Sequence, residues 1–127
     1  MTERTPIMVV EDEPAIRQLM AEILREAGHE VVECSSGEDA LSRLDSVLPS
    51  VITLDLAMPS MDGIEFLRVL RQRPNGRNVA VVVVTAAPEF LCQELWEEGH
   101  WILAKPFHMD QLLEIVNLAL GRKGTPA

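Results

Sequence analysis

The chain is short of basic residues, with 11 lysines and arginines against 20 aspartates and glutamates, and its net charge is −9 at pH 7. A protein that binds nucleic acid needs a basic face to neutralise phosphates, so this balance argues against such binding. An excess of carboxylates suits instead a site that holds a cation. It is also compatible with a basic partner protein.

The sequence also lacks a long hydrophobic run. Its most uniform apolar stretch, residues 79–84, is far too short to span a lipid bilayer. The first six residues include an acidic side chain and no apolar leader, so no secretory signal is expected. We therefore expect a cytoplasmic protein that does not use a membrane as a partner.

Cysteine and histidine are scarce, with two and three residues in the chain. Cys34 and Cys92 do not have the spacing of a metal-ligand pair, and their apolar surroundings predict reduced core thiols. His29, His100 and His108 have no ligand spacing either. These residues therefore predict no cysteine or histidine metal centre.

Short apolar runs alternate with segments of helical periodicity along all 127 residues. The predicted strands cover residues 7–10, 31–32, 51–54, 79–84 and 101–104, and the helical segments follow at 14–27, 36–48, 64–70, 88–99 and 112–120. This alternation predicts an α/β fold with a parallel sheet and helices on both faces, a three-layer sandwich. We expect a single domain over residues 1–127, with its core at about 6–121 and a flexible tail at 122–127.

Two local signals support the helix boundaries. Pro14 suits the first turn of the first helix, where its missing N–H is not needed, and Ser36 is a candidate N-cap of the second helix. The apolar stripe of the first helix consists of Ile16, Leu19, Met20, Ile23, Leu24 and Ala27. These residues recur at helical spacing, and Gly28 suits the end of the helix.

Polar residues follow the predicted strands at the points where the strands end. Glu11 and Asp12 follow the first strand, Asp55 the third, Thr85 the fourth and Lys105 the fifth. In an open parallel sheet, ligands bind outside the carboxyl ends of the strands. Residues far apart in the sequence are therefore expected to meet in one crevice.

Three carboxylates in one crevice repel each other, and each contact costs on the order of a few kcal/mol at an effective dielectric of ~20. A small, hard divalent cation relieves this repulsion, which predicts Mg²⁺ or Mn²⁺. Asp12 and Asp55 are the predicted direct ligands, and Glu11 is expected to act through a water molecule. The main-chain carbonyl of Ala57 is a further candidate ligand.

The same crevice suits phosphoryl transfer. A carboxylate such as that of Asp55 can attack phosphorus and form an acyl phosphate. The transferred group spreads negative charge over three oxygens, so catalysis consists mainly of positioning and charge neutralisation. The cation, the ammonium of Lys105 and the hydroxyl of Thr85 can each serve one of these oxygens.

Four segments that carry these residues resemble, in order, the receiver domains of two-component response regulators. They are residues 9–14, 54–63, 84–86 and 105–107. The resemblance covers nearly the whole chain and implies a doubly wound, five-stranded sheet with the flavodoxin-like strand order 2-1-3-4-5. It also implies a cis peptide bond before Pro106.

By this resemblance Asp55 is the phospho-acceptor, Glu11 and Asp12 are the acidic metal pair, Thr85 is the switch hydroxyl and Lys105 binds the phosphoryl group. The chain would be a phosphorylation-dependent signalling switch of the two-component phosphorelay. It would not be an enzyme, since it assists only its own aspartyl phosphorylation and dephosphorylation.

The resemblance also implies the partners. A sensor histidine kinase or a phosphotransfer protein would supply the phosphoryl group. A downstream protein would bind the face formed by the fourth predicted helix, the fifth strand and the last helix. The protein would be a monomer or a weak dimer.

The chain departs from the family pattern in its fifth strand. Receivers of this kind usually carry an aromatic residue three positions before the conserved lysine, and here that position is Ile102. The neighbouring Trp101 would face the opposite side of a regular strand. Either a bulge turns Trp101 around, or the aromatic part of the switch is absent.

Two alternative functions follow from these observations. Ile102 is compatible with a degenerate receiver that acts as a constitutive protein-binding module. A phosphatase or phosphotransferase with an aspartyl intermediate is the other alternative. Such enzymes usually carry an acidic residue two positions after the nucleophile, and here that residue is Ala57.

Overall fold

The computed structural model describes residues 6–56, 63–86 and 101–122. The strands are β1 (Ile7–Val10), β2 (Val31–Cys34), β3 (Val51–Asp55), β4 (Ala80–Thr85) and β5 (Trp101–Ala104). The α-helices are α1 (Pro14–Glu26), α2 (Gly37–Val47), α3 (Gly63–Gln72) and α4 (Met109–Arg122), and a 3₁₀ turn covers Pro74–Gly76. The predicted helix at 88–99 lies outside the described residues.

The five strands form one parallel sheet in the order β2-β1-β3-β4-β5, which confirms the predicted topology. The register aligns their carboxyl ends, because Val10 lies opposite Leu54, Asp55 opposite Val84 and Thr85 opposite Ala104. The last residues of neighbouring strands therefore reach the same edge of the sheet.

Alternating side chains of the strands enter two hydrophobic clusters on opposite faces of the sheet. On one face α2 and α3 contribute Leu44, Phe66 and Leu70, which pack with Met8 and Val10. On the other face α1 and α4 contribute Met20, Leu24, Leu112 and Val116, which pack with Ile7 and Val9. Strand β4 is buried along its whole length, as expected for a central parallel strand between two layers of helices.

Local sequence signals set several boundaries. Pro14 begins α1, and Gly28 lies just after this helix with φ of 97°, a conformation that glycine adopts without a steric penalty. The hydroxyl of Ser36 accepts a hydrogen bond from the amide of Asp39 at 3.0 Å, so the predicted N-cap is confirmed. Helix α4 ends at Arg122, one residue into the predicted tail, and residues 123–127 lie outside the described ranges.

Strand β4 begins and ends one residue later than the sequence pattern predicted. It covers Ala80–Thr85 rather than 79–84, because pairing with Ala104 of β5 extends the ladder to Thr85. Hydrophobicity marks the apolar residues of a strand, whereas hydrogen bonding to the neighbouring strand decides its last residue.

Strand β5 resolves the two alternatives for its aromatic residue. It pairs residue by residue with β4, without a bulge, and Trp101 lies opposite Val82. Trp101 is buried in the cluster beneath α1 and α4, whereas Ile102 packs against the cluster on the other face. No aromatic side chain therefore occupies the position three residues before Lys105.

Cys34 is a free, buried thiol at the end of β2, as predicted, and Cys92 lies outside the described residues. Burial raises the pKa of the Cys34 thiol to about 11, and the nearby carboxylate of Asp39 adds to this effect. Both causes disfavour the thiolate, so the residue is an inert part of the core.

Among the residues that the structure describes, every helix is too short or too polar to cross a membrane.

The contact between Gly63 and Leu56 generates a stability prediction. A Cβ atom added at Gly63 would lie 2.7 Å from the Cα of Leu56, so Gly63→Ala should destabilise the protein by about 1–3 kcal/mol. Urea denaturation measures this loss. Gly121→Ala is the matched control, because nothing lies within 4 Å of that site. Equal stability of the two variants would contradict the close packing of α3 on the residue after Asp55.

Candidate functional site

The carboxyl edge of the sheet brings together the polar residues predicted from the sequence. Main-chain hydrogen bonds continue one residue past two strands: the amide of Glu11 donates to the carbonyl of Cys34 at 3.1 Å, and that of Lys105 to the carbonyl of Thr85 at 2.8 Å. Asp55 is the last residue of β3. The hydrogen bonding of the sheet therefore determines the main-chain positions of Glu11, Asp55 and Lys105.

Three carboxylates form the centre of the site. Glu11, Asp12 and Asp55 each offer a carboxylate oxygen, and these oxygens all lie within 4.8 Å of one another. Glu11 and Asp55 are buried, and Asp12 is partly exposed. Oxygen ligands on opposite sides of a Mg²⁺ ion are about 4 Å apart, so the set fits a small divalent cation after a modest adjustment.

Lys105 joins two of these acids. Its Nζ donates to Oε1 of Glu11 at 3.1 Å and lies 3.6 Å from Oδ1 of Asp55. When the three acids are ionised, one ammonium leaves two negative charges unbalanced, which is the charge that a divalent cation neutralises. The peptide bond between Lys105 and Pro106 is cis, as the resemblance implied.

The environment of Glu11 explains why the site favours a positively charged partner. Burial raises the pKa of the Glu11 carboxyl, and the charge of Asp55 acts in the same direction. The hydrogen bond and the charge of Lys105, together with a hydrogen bond from the amide of Glu13, oppose this rise. A second cation beside Glu11 would stabilise its ionised form further.

Thr85 and Ala57 are the two remaining predicted residues of the site. Thr85 is buried at the end of β4, directly after Val84, the residue that lies opposite Asp55. Its position at the shared edge matches the prediction. Ala57, whose main-chain carbonyl is a candidate ligand, lies outside the described residues.

An apolar groove next to Lys105 was not expected from the sequence. Its volume is about 340 Å³, and it is lined by Ile16, Leu19, Ala86, Lys105, Pro106 and Phe107. Leu19, which belongs to the apolar stripe of α1, is 53% exposed, and the nearby Met109 is 59% exposed. The packed layers therefore do not cover this part of α1.

Arg17 also contacts the site, although the sequence did not indicate it as a site residue. Its Nη1 donates to the main-chain carbonyl of Glu11 at 3.0 Å, which links the fourth residue of α1 to the site. The only sequence signal is a basic residue one turn into the helix after the acidic pair. That signal is not specific, because exposed arginines are common in helices.

The family comparison agrees with this geometry. The model of the response regulator receiver domain family matches residues 7–117. Sporulation initiation phosphotransferase F of Bacillus subtilis is 33% identical over 119 residues, which cover 92% of this chain and 94% of that protein.

Solved structures of receiver domains and response regulators also resemble this chain. A putative response regulator from Chloroflexus aurantiacus superposes with a TM-score of 0.85 at 29% identity, covering 94% of this chain and 100% of that one. The receiver domain of a sensor histidine kinase from Pseudomonas aeruginosa superposes with a TM-score of 0.83 at 28% identity, covering 94% and 99%; that structure has a magnesium ion coordinated in its active site cleft. With its strand order, its acidic cluster and its matching family model, this chain belongs to the receiver domain family of response regulators.

Proposed function

We propose that the chain is a phosphorylation-dependent signalling switch in which Asp55 accepts a phosphoryl group, with Mg²⁺ or Mn²⁺ as cofactor. The observation that carries this proposal is the cluster of three carboxylates within 4.8 Å, with Lys105 beside two of them. Receiver domains are signalling modules that bind Mg²⁺ at an acidic pocket and generally are not enzymes. The proposal gives each predicted residue a separate task.

Asp12 and Asp55 would hold the cation directly, Glu11 would hold it through water, and the carbonyl of Ala57 would complete the protein ligands. The bound cation supplies neutralising charge for the oxygens of the phosphoryl group. The remaining carboxylate oxygen of Asp55 would attack phosphorus and form a P–O bond, while the bond from phosphorus to the imidazole nitrogen of the donor's phosphohistidine breaks and the imidazole leaves. Asp55 is buried, so little of its own surface is in contact with bulk water.

Lys105 and Thr85 would bind the transferred group. A phosphoryl group adds about −1.5 to −2 charge at the end of β3. The ammonium of Lys105, which lies between Glu11 and Asp55, can follow this charge with a small movement. The hydroxyl of Thr85 can donate to another oxygen, and both movements would change the surface around β4 and β5.

The partners would be proteins. Receiver domains interact with histidine kinases or phosphotransfer proteins and with downstream targets. Here the donor would be a sensor histidine kinase or a phosphotransfer protein, and the apolar groove between Lys105 and Leu19 would be part of its docking surface. The downstream target would bind the face formed by the predicted helix at 88–99, β5 and α4. We propose that residues 1–127 form one receiver domain and that the protein is cytoplasmic and a monomer or a weak dimer.

A constitutive protein-binding module is the second candidate function. It is favoured by Ile102 and by the burial of Trp101 on the opposite face of the sheet, since both remove the usual aromatic switch. The complete set of acids and Lys105 argues against it, because a module without phosphorylation has no need to hold three repelling carboxylates together.

Phosphorylation by a small donor separates the two candidates. With acetyl phosphate and Mg²⁺, the protein should gain one phosphoryl group in an intact-mass measurement, and chelation of the metal should abolish this gain. Asp55→Asn should remain unmodified, because an amide is not a nucleophile toward phosphorus. Asp45→Asn, on the exposed surface of α2, is the control and should behave as the wild type. An unmodified wild-type protein would favour the constitutive module.

The docking surface gives a second prediction. The donor is an autophosphorylated histidine kinase that labels the wild type. Leu19→Ser should slow phosphoryl transfer from this kinase by about tenfold, as expected for the loss of one interface anchor. Labelling by acetyl phosphate should not change, because that donor needs no protein contact.

Leu48→Ser is the matched control for this experiment. Leu48 is also 53% exposed but lies just after α2, near the opposite edge of the sheet from Asp55. Equal transfer rates for the Leu19 and Leu48 variants would argue that the donor docks elsewhere.

A further inference from the structure

Arg17 connects the acidic site to β2, the outermost strand on one side of the sheet. Its Nη1 donates to the main-chain carbonyl of Glu11 at 3.0 Å, and its Nε lies 3.6 Å from Oε1 of Glu33 on β2. The side chain is largely buried, with 17% of its surface exposed. A guanidinium held by two partners on different elements has little freedom to move.

The contacts of Glu11 show what this connection restrains. Its amide donates to the carbonyl of Cys34 on β2, and its carbonyl accepts from Arg17, which is paired with Glu33 on the same strand. Its two carboxylate oxygens accept from Lys105 and from the amide of Glu13. Both main-chain groups of Glu11 are therefore tied to β2, one of them directly and the other through Arg17.

We propose that Arg17 is a positioning residue for the cation site. By tying the turn between β1 and α1 to β2, it holds Glu11 and Asp12 toward Asp55 against their mutual repulsion. This inference rests on the proposed function, because it assigns a further residue to the same metal site. Arg17 itself would contact neither the cation nor the phosphoryl group.

The sign of the effect distinguishes positioning from simple electrostatics. Arg17 carries a positive charge beside the acidic cluster, so charge alone predicts that its removal strengthens the binding of a cation. Positioning predicts the opposite, because a turn that is free to relax lets the carboxylates separate. The two explanations therefore give opposite results for one substitution.

The geometry of the guanidinium supplies a second criterion. Nη1 and Nε point to partners on different elements, the carbonyl of Glu11 and the carboxylate of Glu33. A lysine keeps the charge but presents a single ammonium without this planar fork. If the fork is what matters, Arg17→Lys should resemble Arg17→Ala rather than the wild type.

Titration calorimetry with Mg²⁺ alone, without a phosphoryl donor, tests the proposal. We expect Arg17→Ala and Arg17→Lys to raise the Mg²⁺ dissociation constant by about tenfold, the lower end of the usual effect of outer-shell partners. Arg25→Ala is the matched control, since Arg25 lies on the same helix and pairs with the same Glu33 at 3.1 Å, while its Nη2 donates to the carbonyl of Val31 at 3.1 Å rather than to that of Glu11. Its dissociation constant should stay within about twofold of the wild type, as for a surface ion pair.

Hydrogen exchange provides a readout that does not need the metal. In Arg17→Ala, the amides of residues 11–13 should exchange faster, while those of β4 keep their protection, which shows that the variant is folded. Mg²⁺ binding by Arg17→Ala that equals or exceeds that of the wild type would overturn the positioning role. Absence of Mg²⁺ binding by the wild type would instead overturn the proposed function and this inference with it.

Discussion

Repulsion among the carboxylates of Glu11, Asp12 and Asp55 opposes the arrangement of the site, so the fold must outweigh it. At separations of about 5 Å and an effective dielectric of ~20, each ionised pair is unfavourable by about 3 kcal/mol. Burial adds to the difficulty, because it raises the pKa of Glu11 and favours the protonated acid. Lys105 relieves part of this strain through its contacts with Glu11 and Asp55, and the site retains a preference for further positive charge.

The sheet supplies the free energy that holds these charges together. Strands β1 and β3 are neighbours, and they are buried along their lengths. Each fully buried large side chain, such as Ile7, Ile52 or Leu54, contributes roughly 1.5–3 kcal/mol, so a few such residues offset the cost of one repelling pair. Packing on both faces leaves the strands little freedom to separate. The acids at the carboxyl ends of β1 and β3 therefore stay together.

The same architecture separates the chemistry of the site from its readout. The proposed phosphoryl chemistry depends on the side chains of Glu11, Asp12, Asp55, Thr85 and Lys105, and the structure describes all five at the carboxyl edge of the sheet. The aromatic residue of β5 is different, since Trp101 is buried beneath α1 and α4 and Ile102 takes the position nearer the lysine. If Asp55 is phosphorylated, the change must reach the surface by a route other than an aromatic side chain three residues before Lys105.

The strand–helix alternation, the cap at Ser36 and the order of acidic, hydroxyl and basic residues at the strand ends could be predicted from the sequence, because each of these is a local pattern along the chain. The exposure of Leu19, the pairing of Thr85 within β4 and the hydrogen bond from Arg17 to Glu11 could be seen only in the folded chain. A periodic stripe shows which face of a helix is apolar, but the neighbouring elements decide how far along the helix that face is covered. Strand ends and long-range hydrogen bonds likewise depend on partners distant in sequence, which no local pattern contains.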